Sequence, residues 1–315
     1  MTGGMEKSDE LKEFFAAQKA AARANRACCA DAQIAGGSAN GGNRANGAGS
    51  AGECAEAAEN ARALAECAQT RRFKCVVAYD GTDFCGWQSQ AGGGSVQDFI
   101  EYRLRAIFKK SVRIHGSGRT DAGVHAAAQV FHFDAVWNHS PEALLRAMRS
   151  GNAQTVRILS LEEIGKDFHA RFSAKGKRYV YKICKGFAMP DAARYRWSLD
   201  FPEIDVPAMR RAAQIFIGTH DFKAFSANRN DGKKENTIKT IFKLDIAETP
   251  DEIFITAEGD GFLYKMVRML VGALVQVGRG KLQTSDLENA LASKTRTNLF
   301  QAAPAQGLFL DEVFY

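Results

Sequence analysis

Between residues 116 and 126 the chain reads Gly116-Ser117-Gly118-Arg119-Thr120-Asp121-Ala122-Gly123-Val124-His125-Ala126. Glycines at 116, 118 and 123 allow a tight bend and a close backbone approach to a ligand, with Arg119 and Asp121 presented between them. A carboxylate placed so can serve as a nucleophile or as a base near neutral pH. The same two side chains could equally do no more than pair with each other across a turn, an arrangement common on surfaces and worth little. Residue types alone leave both readings open. Tyr179, in a run of β-forming residues, poses a similar choice between a strand aromatic and a site residue. Arg268 lies close to an apolar helical stripe of Leu263, Met266, Val267, Leu270, Val271 and Leu274, and an arginine there needs an anionic partner. The cysteines, Cys28, Cys29, Cys54, Cys67, Cys75, Cys85 and Cys184, are odd in number, scattered and without a C-x-x-C pair, against both a disulfide framework and a zinc site. With no Walker loop and no paired His-x-Glu, neither a metal nor a nucleotide cofactor is expected.

The elements that must hold these residues follow from periodicity. Residues 73–79 predict a strand ended by Asp80-Gly81. Ser95 offers an N-cap to a helix whose apolar face is Val96, Phe99, Ile100, Leu104, Ile107 and Phe108. A short strand at 112–115 is predicted to lead into the glycine-rich loop, with another strand at 129–133 after it, and Ser140-Pro141 opens a helix. Further strands are predicted at 155–161, 178–184, 238–247, 253–259 and 308–315. Helices are predicted at 206–217, 262–277 and 285–293, the last with a capping box from Ser285 to Glu288. The short turn Thr249-Pro250-Asp251 requires its flanking strands to be antiparallel. The predicted class is α+β: a mixed, largely antiparallel sheet with helices packed on it.

Composition divides the chain at about residue 70. Residues 1–70 carry seven basic and nine acidic side chains, whereas the remainder carries 35 basic and 27 acidic. The excess of positive charge on the later part suits a polyanionic partner. Residues 5–30 and 53–69 have helical composition, and 35–52, almost wholly Gly, Ala, Ser and Asn, reads as a linker too poor in apolar bulk to offset the entropy of ordering. A low-complexity N-terminal extension is therefore expected over 1–70. No run of about 18 apolar residues predicts a membrane span, the N-terminus lacks the apolar core of a secretory signal, and its acids argue against a transit peptide. A cytoplasmic location is the expectation.

Five segments, in order, resemble the A family of tRNA pseudouridine synthases. They are Tyr79-Asp80-Gly81-Thr82 with Phe84 and Gly86-Trp87-Gln88; Val96-Gln97; Gly118 to Ala126; Phe168-His169-Ala170-Arg171-Phe172-Ser173-Ala174 before Lys177-Arg178-Tyr179-Val180-Tyr181; and Phe262-Leu263-Tyr264-Lys265-Met266-Val267-Arg268. The resemblance spans about 71–315. It implies isomerisation of uridine to pseudouridine in the anticodon arm of tRNA, without cofactor, by a homodimer. It also implies two similar subdomains around a central cleft, 71–174 bearing the aspartate loop and 175–315 completing it. Matched position by position, Asp121 is the residue that attacks the target nucleoside. Arg119 helps hold a nucleotide flipped out of the stack, Tyr179 stacks on the base and can move a proton, and Arg268 pairs with Asp121 to keep it ionised and oriented. Lys175, Lys177, Arg178, Arg229, Lys233, Lys234 and Lys239 are expected to track phosphates. His125 and His132 are read as structural.

Two departures accompany the resemblance. Residues 148–156 lack a Leu-Asn-x-x-Leu-Pro-like segment, and residues 1–70 have no counterpart in the compact bacterial enzymes, so they are either a tail peculiar to this chain or the product of a start codon set too early. Two other activities compete: a non-catalytic RNA-binding module, which would have no need of an intact Asp121, Tyr179 and Arg268, and a nucleoside hydrolase, which would need a second carboxylate to activate water. Deleting residues 1–70 is expected to leave activity on tRNA within a few-fold of the full chain. A folded but inactive truncation would contradict that.

Overall fold

The computed structural model describes Ala16 and residues 69–315 except 151–153, 201–202 and 229–234. The helices and linker expected within 1–70 lie outside the described residues. Strands β1 (Thr70–Tyr79), β2 (His115–Gly116), β3 (His125–Val136), β4 (Val156–Ile164), β5 (Gly176–Lys185), β6 (Trp197–Leu199), β7 (Gly218–Asp221), β8 (Ile238–Glu248), β9 (Glu252–Gly259) and β10 (Leu308–Phe314) form one sheet. Its order is β4-β1-β3-β10-β5-β9-β8-β7, with β2 beside β3 and β6 beside β5. Among the described residues only β10 with β3 and β5 with β6 run parallel. The predicted α+β class, a mixed and largely antiparallel sheet carrying helices, is what forms. The sheet is continuous across the 174/175 boundary, because β10 comes from the end of the chain and lies between β3 and β5.

The alternation of side chains along each strand gives the sheet two different faces. Phe73, Cys75, Val77, Tyr79, Phe131, Phe133, Tyr179, Tyr181, Ile253 and Ile255 fall on one face and are buried. Helices α1 (Val96–Phe108), α2 (Pro141–Arg149), α3 (Val206–Ala213), α4 (Met266–Gly278) and α5 (Thr284–Ser293) belong to this core. The other face is laced by ion pairs, Arg72 with Asp134, Lys74 with Glu162, and Arg178 with Glu258 and Glu312. No helix among the described residues is long and apolar enough to cross a membrane.

Several boundaries differ from the sequence reading, each for a local reason. The strand expected at 112–115 shrinks to His115–Gly116: Ile114 N–H donates to Glu101 and its carbonyl accepts from Gln97, so α1 side chains take the bonds a ladder would have made. β3 begins at His125, four residues earlier than expected, where β10 supplies its partner. The helix expected over 206–217 stops at Ala213 and continues as a 3-10 turn to Phe216. Helix α4 starts at Met266 instead of 262 because Lys265 sits at φ 60°, outside the helical region, which leaves Phe262 and Tyr264 on a loop. The capping box of α5 is made by Gln283 and Asp286, two residues before the expected pair. Strands β6 and β7 are too short to register as periodic.

One close approach fixes α4. A Cβ on Gly272 would lie 1.9 Å from the Gln301 carbonyl oxygen, so only glycine lets the 301–303 segment cross the helix. Gly272→Ala is expected to destabilise the fold by about 1–3 kcal/mol through overpacking. Urea unfolding measures this, and an unchanged midpoint would show that the crossing segment retreats freely.

Candidate active site

The glycine-rich loop between β2 and β3 belongs to no ladder, so its carbonyls must find donors elsewhere. Ser117 N–H donates to Val130 O at 2.7 Å as the loop leaves β2. Lys177 Nζ donates to Ser117 O at 2.8 Å, and the buried Gln129 Nε2 donates to Gly118 O at 3.0 Å. Trp87 N–H reaches Thr120 O at 3.1 Å, and the Thr120 and Tyr79 hydroxyls lie 2.8 Å apart. Val124 N–H closes on Asp121 O at 3.2 Å, a turn in which Gly123 takes φ 76°, a conformation glycine adopts without steric cost.

Asp121 is thereby aimed at α4. Arg268 Nη1 donates to Asp121 Oδ2 at 2.8 Å, while Arg268 Nε donates to Ala303 O at 2.7 Å and Ala303 N–H returns to Arg268 O at 2.9 Å. The Arg268 and Asp121 side chains are 14% and 20% exposed, so the pair is well shielded, yet the carboxylate is reachable. Asp121 Oδ1 has no partner among the described residues. Such charge-assisted bonds orient as well as attract. Tyr179 is buried and meets Phe262 edge-on with ring centroids 5.2 Å apart. Burial, and then the nearness of Tyr79 and Asp121, pushes the Tyr179 hydroxyl well above its usual range, so it is protonated at neutral pH. Arg119 is exposed, and its Nε donates to Gln88 Oε1 at 3.2 Å in place of the cross-turn pair with Asp121 that residue types alone allowed.

Arg119, Asp121, Tyr179 and Arg268 all line one cleft of about 880 Å3. Gln88, Phe262, Tyr264, Lys265, Val267 and Leu308 are among the other residues of its walls. Apolar and aromatic surface with a few converging charges suits a flat heterocycle attached to an anionic chain. A carboxylate with one oxygen tied and the other open can attack such a group or take its proton.

The basic residues expected to track phosphates fare differently. Lys175 is exposed ahead of β5, and Lys239 is half-buried on β8. Arg178 turns to the back of the sheet, where Glu258, Glu312 and Asp311 surround it, so its charge is already met. Lys177 is half-buried against the loop, and burial, aided by Arg171, lowers its amine to about 8. Arg229, Lys233 and Lys234 lie outside the described residues, as do residues 151–153 of the atypical 148–156 segment. His125 is buried between Phe309 and Tyr195, its Nδ1 3.1 Å from Gly81 N–H and its Nε2 3.2 Å from Arg194 O. His132 is held near 4 by burial, His169, Arg72 and His115, and is neutral at physiological pH. Sequence reasoning gave no part to Gln129, Gln88 or Lys265. The signal for Gln129 was an amide at the head of a strand whose next three residues are Val130, Phe131 and His132. Lys265 gave none, because its place at the cleft depends on the late start of α4.

A family model described as tRNA pseudouridine synthase matches residues 75–173 and 212–315. The tRNA pseudouridine synthase A of Brevibacillus brevis is 39% identical over 247 residues, covering 78% of this chain and 100% of that one. The protein of the same name from Exiguobacterium sibiricum is 37% identical over 246 residues, 78% of this chain and 97% of that one. Among solved structures, a Cbf5-Nop10-Gar1 complex aligns with a TM-score of 0.30 and 13% identity over 64% of this chain and 45% of that one, too slight a likeness to bear on the fold.

Replacing Arg268 strips donors from both Asp121 and Ala303. Arg268→Leu is expected to cost about 1–3 kcal/mol. Arg268→Lys should recover only part, since one ammonium does not reproduce the guanidinium fork. Equal stability of all three proteins in chemical denaturation would contradict the double anchorage.

Proposed function

Because the chain belongs to the tRNA pseudouridine synthase family, and so isomerises uridine to pseudouridine in tRNA, we propose that Asp121 is the group that attacks the nucleoside and that the target uridines lie in the anticodon arm. The observation that carries this is the Asp121 carboxylate itself, with Oδ2 tied to Arg268 and Oδ1 unpartnered among the described residues, at a cleft with ample room for a nucleotide. The reaction breaks the bond from the ribose to uracil N1, forms one from the ribose to uracil C5, and moves the C5 proton to N1. It is redox-neutral, and a carboxylate that attacks and is later released is regenerated unchanged.

The surrounding groups take complementary parts in this reading. A base inside a helix is out of reach, so the uridine is flipped into the cleft. Arg119, exposed at the rim, holds the flipped nucleotide through its phosphate. Tyr179 lies against the base and, being protonated, donates a hydrogen bond to the departing uracil. Arg268 keeps the carboxylate aimed throughout. Lys175 and the 225–243 region supply sequence-independent phosphate contacts. The working unit is a homodimer in the cytoplasm, where its tRNA substrates are.

Asp121→Asn is expected to abolish pseudouridine formation, by several orders of magnitude in rate, because the amide keeps the shape but is neither nucleophile nor base. Affinity for tRNA should stay within a few-fold, since it derives from phosphate contacts spread over the surface. Carbodiimide-based primer extension on unmodified tRNA transcript reads the product and its position, and a melting curve checks the fold. A folded Asp121→Asn protein working at near wild-type rate would remove Asp121 from the chemistry.

A further inference from the structure

β5 sends Lys177, Tyr179 and Tyr181 to one face of the sheet and Arg178 to the other. Arg178 finds three carboxylates there. Lys177 finds none among the described residues, and its one hydrogen bond is to the Ser117 carbonyl at 2.8 Å. The next carbonyl, Gly118 O, is held by Gln129 at 3.0 Å, and Gln129 also accepts from the Ser117 hydroxyl. A Cβ on Gly118 would come within 2.5 Å of Lys177 Nζ, so the ammonium is seated directly on the loop backbone. Three residues further on, the same backbone delivers Asp121 to Arg268. A half-buried cation without a counter-ion is costly, and the carbonyl dipole is what meets it here.

We propose that Lys177 is a positioning residue for the reaction, acting through the Ser117 carbonyl to hold the Asp121 loop in register with Arg268, and does not contact tRNA phosphate. The inference rests on Asp121 being the reacting group. The pH behaviour follows from the surroundings. Strand β9 sets Gly259 opposite Lys177 and β10 sets Val313 there, neither titratable. Glu258, Asp311 and Glu312 gather around Arg178 on the other face. Arg171 is the charged group that acts on Lys177, and the nearby Tyr315 hydroxyl, raised by burial, donates to Ala170 O. Raising the pH through about 8 therefore discharges Lys177 and weakens its hold on the loop.

The test uses the full chain and unmodified tRNA transcript, comparing wild type, Lys177→Met and Lys177→Arg for single-turnover rate, tRNA Kd and its salt dependence. Lys177→Met, which keeps the length and removes the donor, should be slower by roughly 10- to 100-fold, as small misplacements of reacting groups are. Its Kd should stay within about twofold and its salt slope should not change, since no phosphate contact is lost. Lys177→Arg should restore most of the rate and abolish the decline near pH 8, because a guanidinium does not discharge there. That arm stands by itself if Lys177→Met fails to fold. A wild-type rate in Lys177→Met would overturn the proposal. So would a weakened Kd with the salt slope lowered by about one, or a pH profile unaltered in Lys177→Arg. A wild-type chain that formed no pseudouridine would overturn the proposed function instead, on which the positioning rests.

Discussion

Arg268 and Asp121 are 147 residues apart in sequence, and their ion pair is where the two halves of the sheet meet chemically. The arginine comes from α4 and is itself braced by Ala303, on the segment that leads into β10. The aspartate comes from a loop that no ladder supports. Holding it requires the donors of Lys177, Gln129 and Trp87 on one side and Arg268 on the other. A long polypeptide is thus committed to fixing one carboxylate while leaving one of its oxygens open.

The sheet makes that commitment affordable. Its covered face stacks aromatic and β-branched side chains into a continuous core, while its other face needs no cover because charged residues line it in opposed pairs. β10 joins the two halves by pairing with β3 and β5 together. The place where these strands meet carries Tyr179 and the floor of the cleft, so the site is built on paired, well-packed strands.

Much of this was legible in the sequence, and the limits have physical causes. Alternation in 73–79 and helical spacing in 96–108 gave their elements because burial there follows local period. The Asp121–Arg268 pair was legible through resemblance, and the need of an arginine near a core stripe for an anion pointed the same way. Arg178 and Lys177 share one expectation but not one environment. Adjacent on one strand, they face opposite sides, and charge alone does not tell a free surface cation from one paired behind the sheet or half-buried against a loop. Lys265, whose left-handed backbone conformation delays the start of the predicted helix to Met266, was beyond any propensity, since a positive φ is rare for lysine.

The coupling between Asp121 and Arg268 tests the central claim most directly. A double-mutant cycle with Asp121→Asn, Arg268→Leu and both together, followed by chemical unfolding, cancels the separate loss of the Ala303 contact and isolates the pair. The account predicts an interaction energy of about 1–3 kcal/mol, the range for residues in direct contact in one network. Strict additivity, within about 0.3 kcal/mol, would mean that Arg268 does not hold the carboxylate in solution.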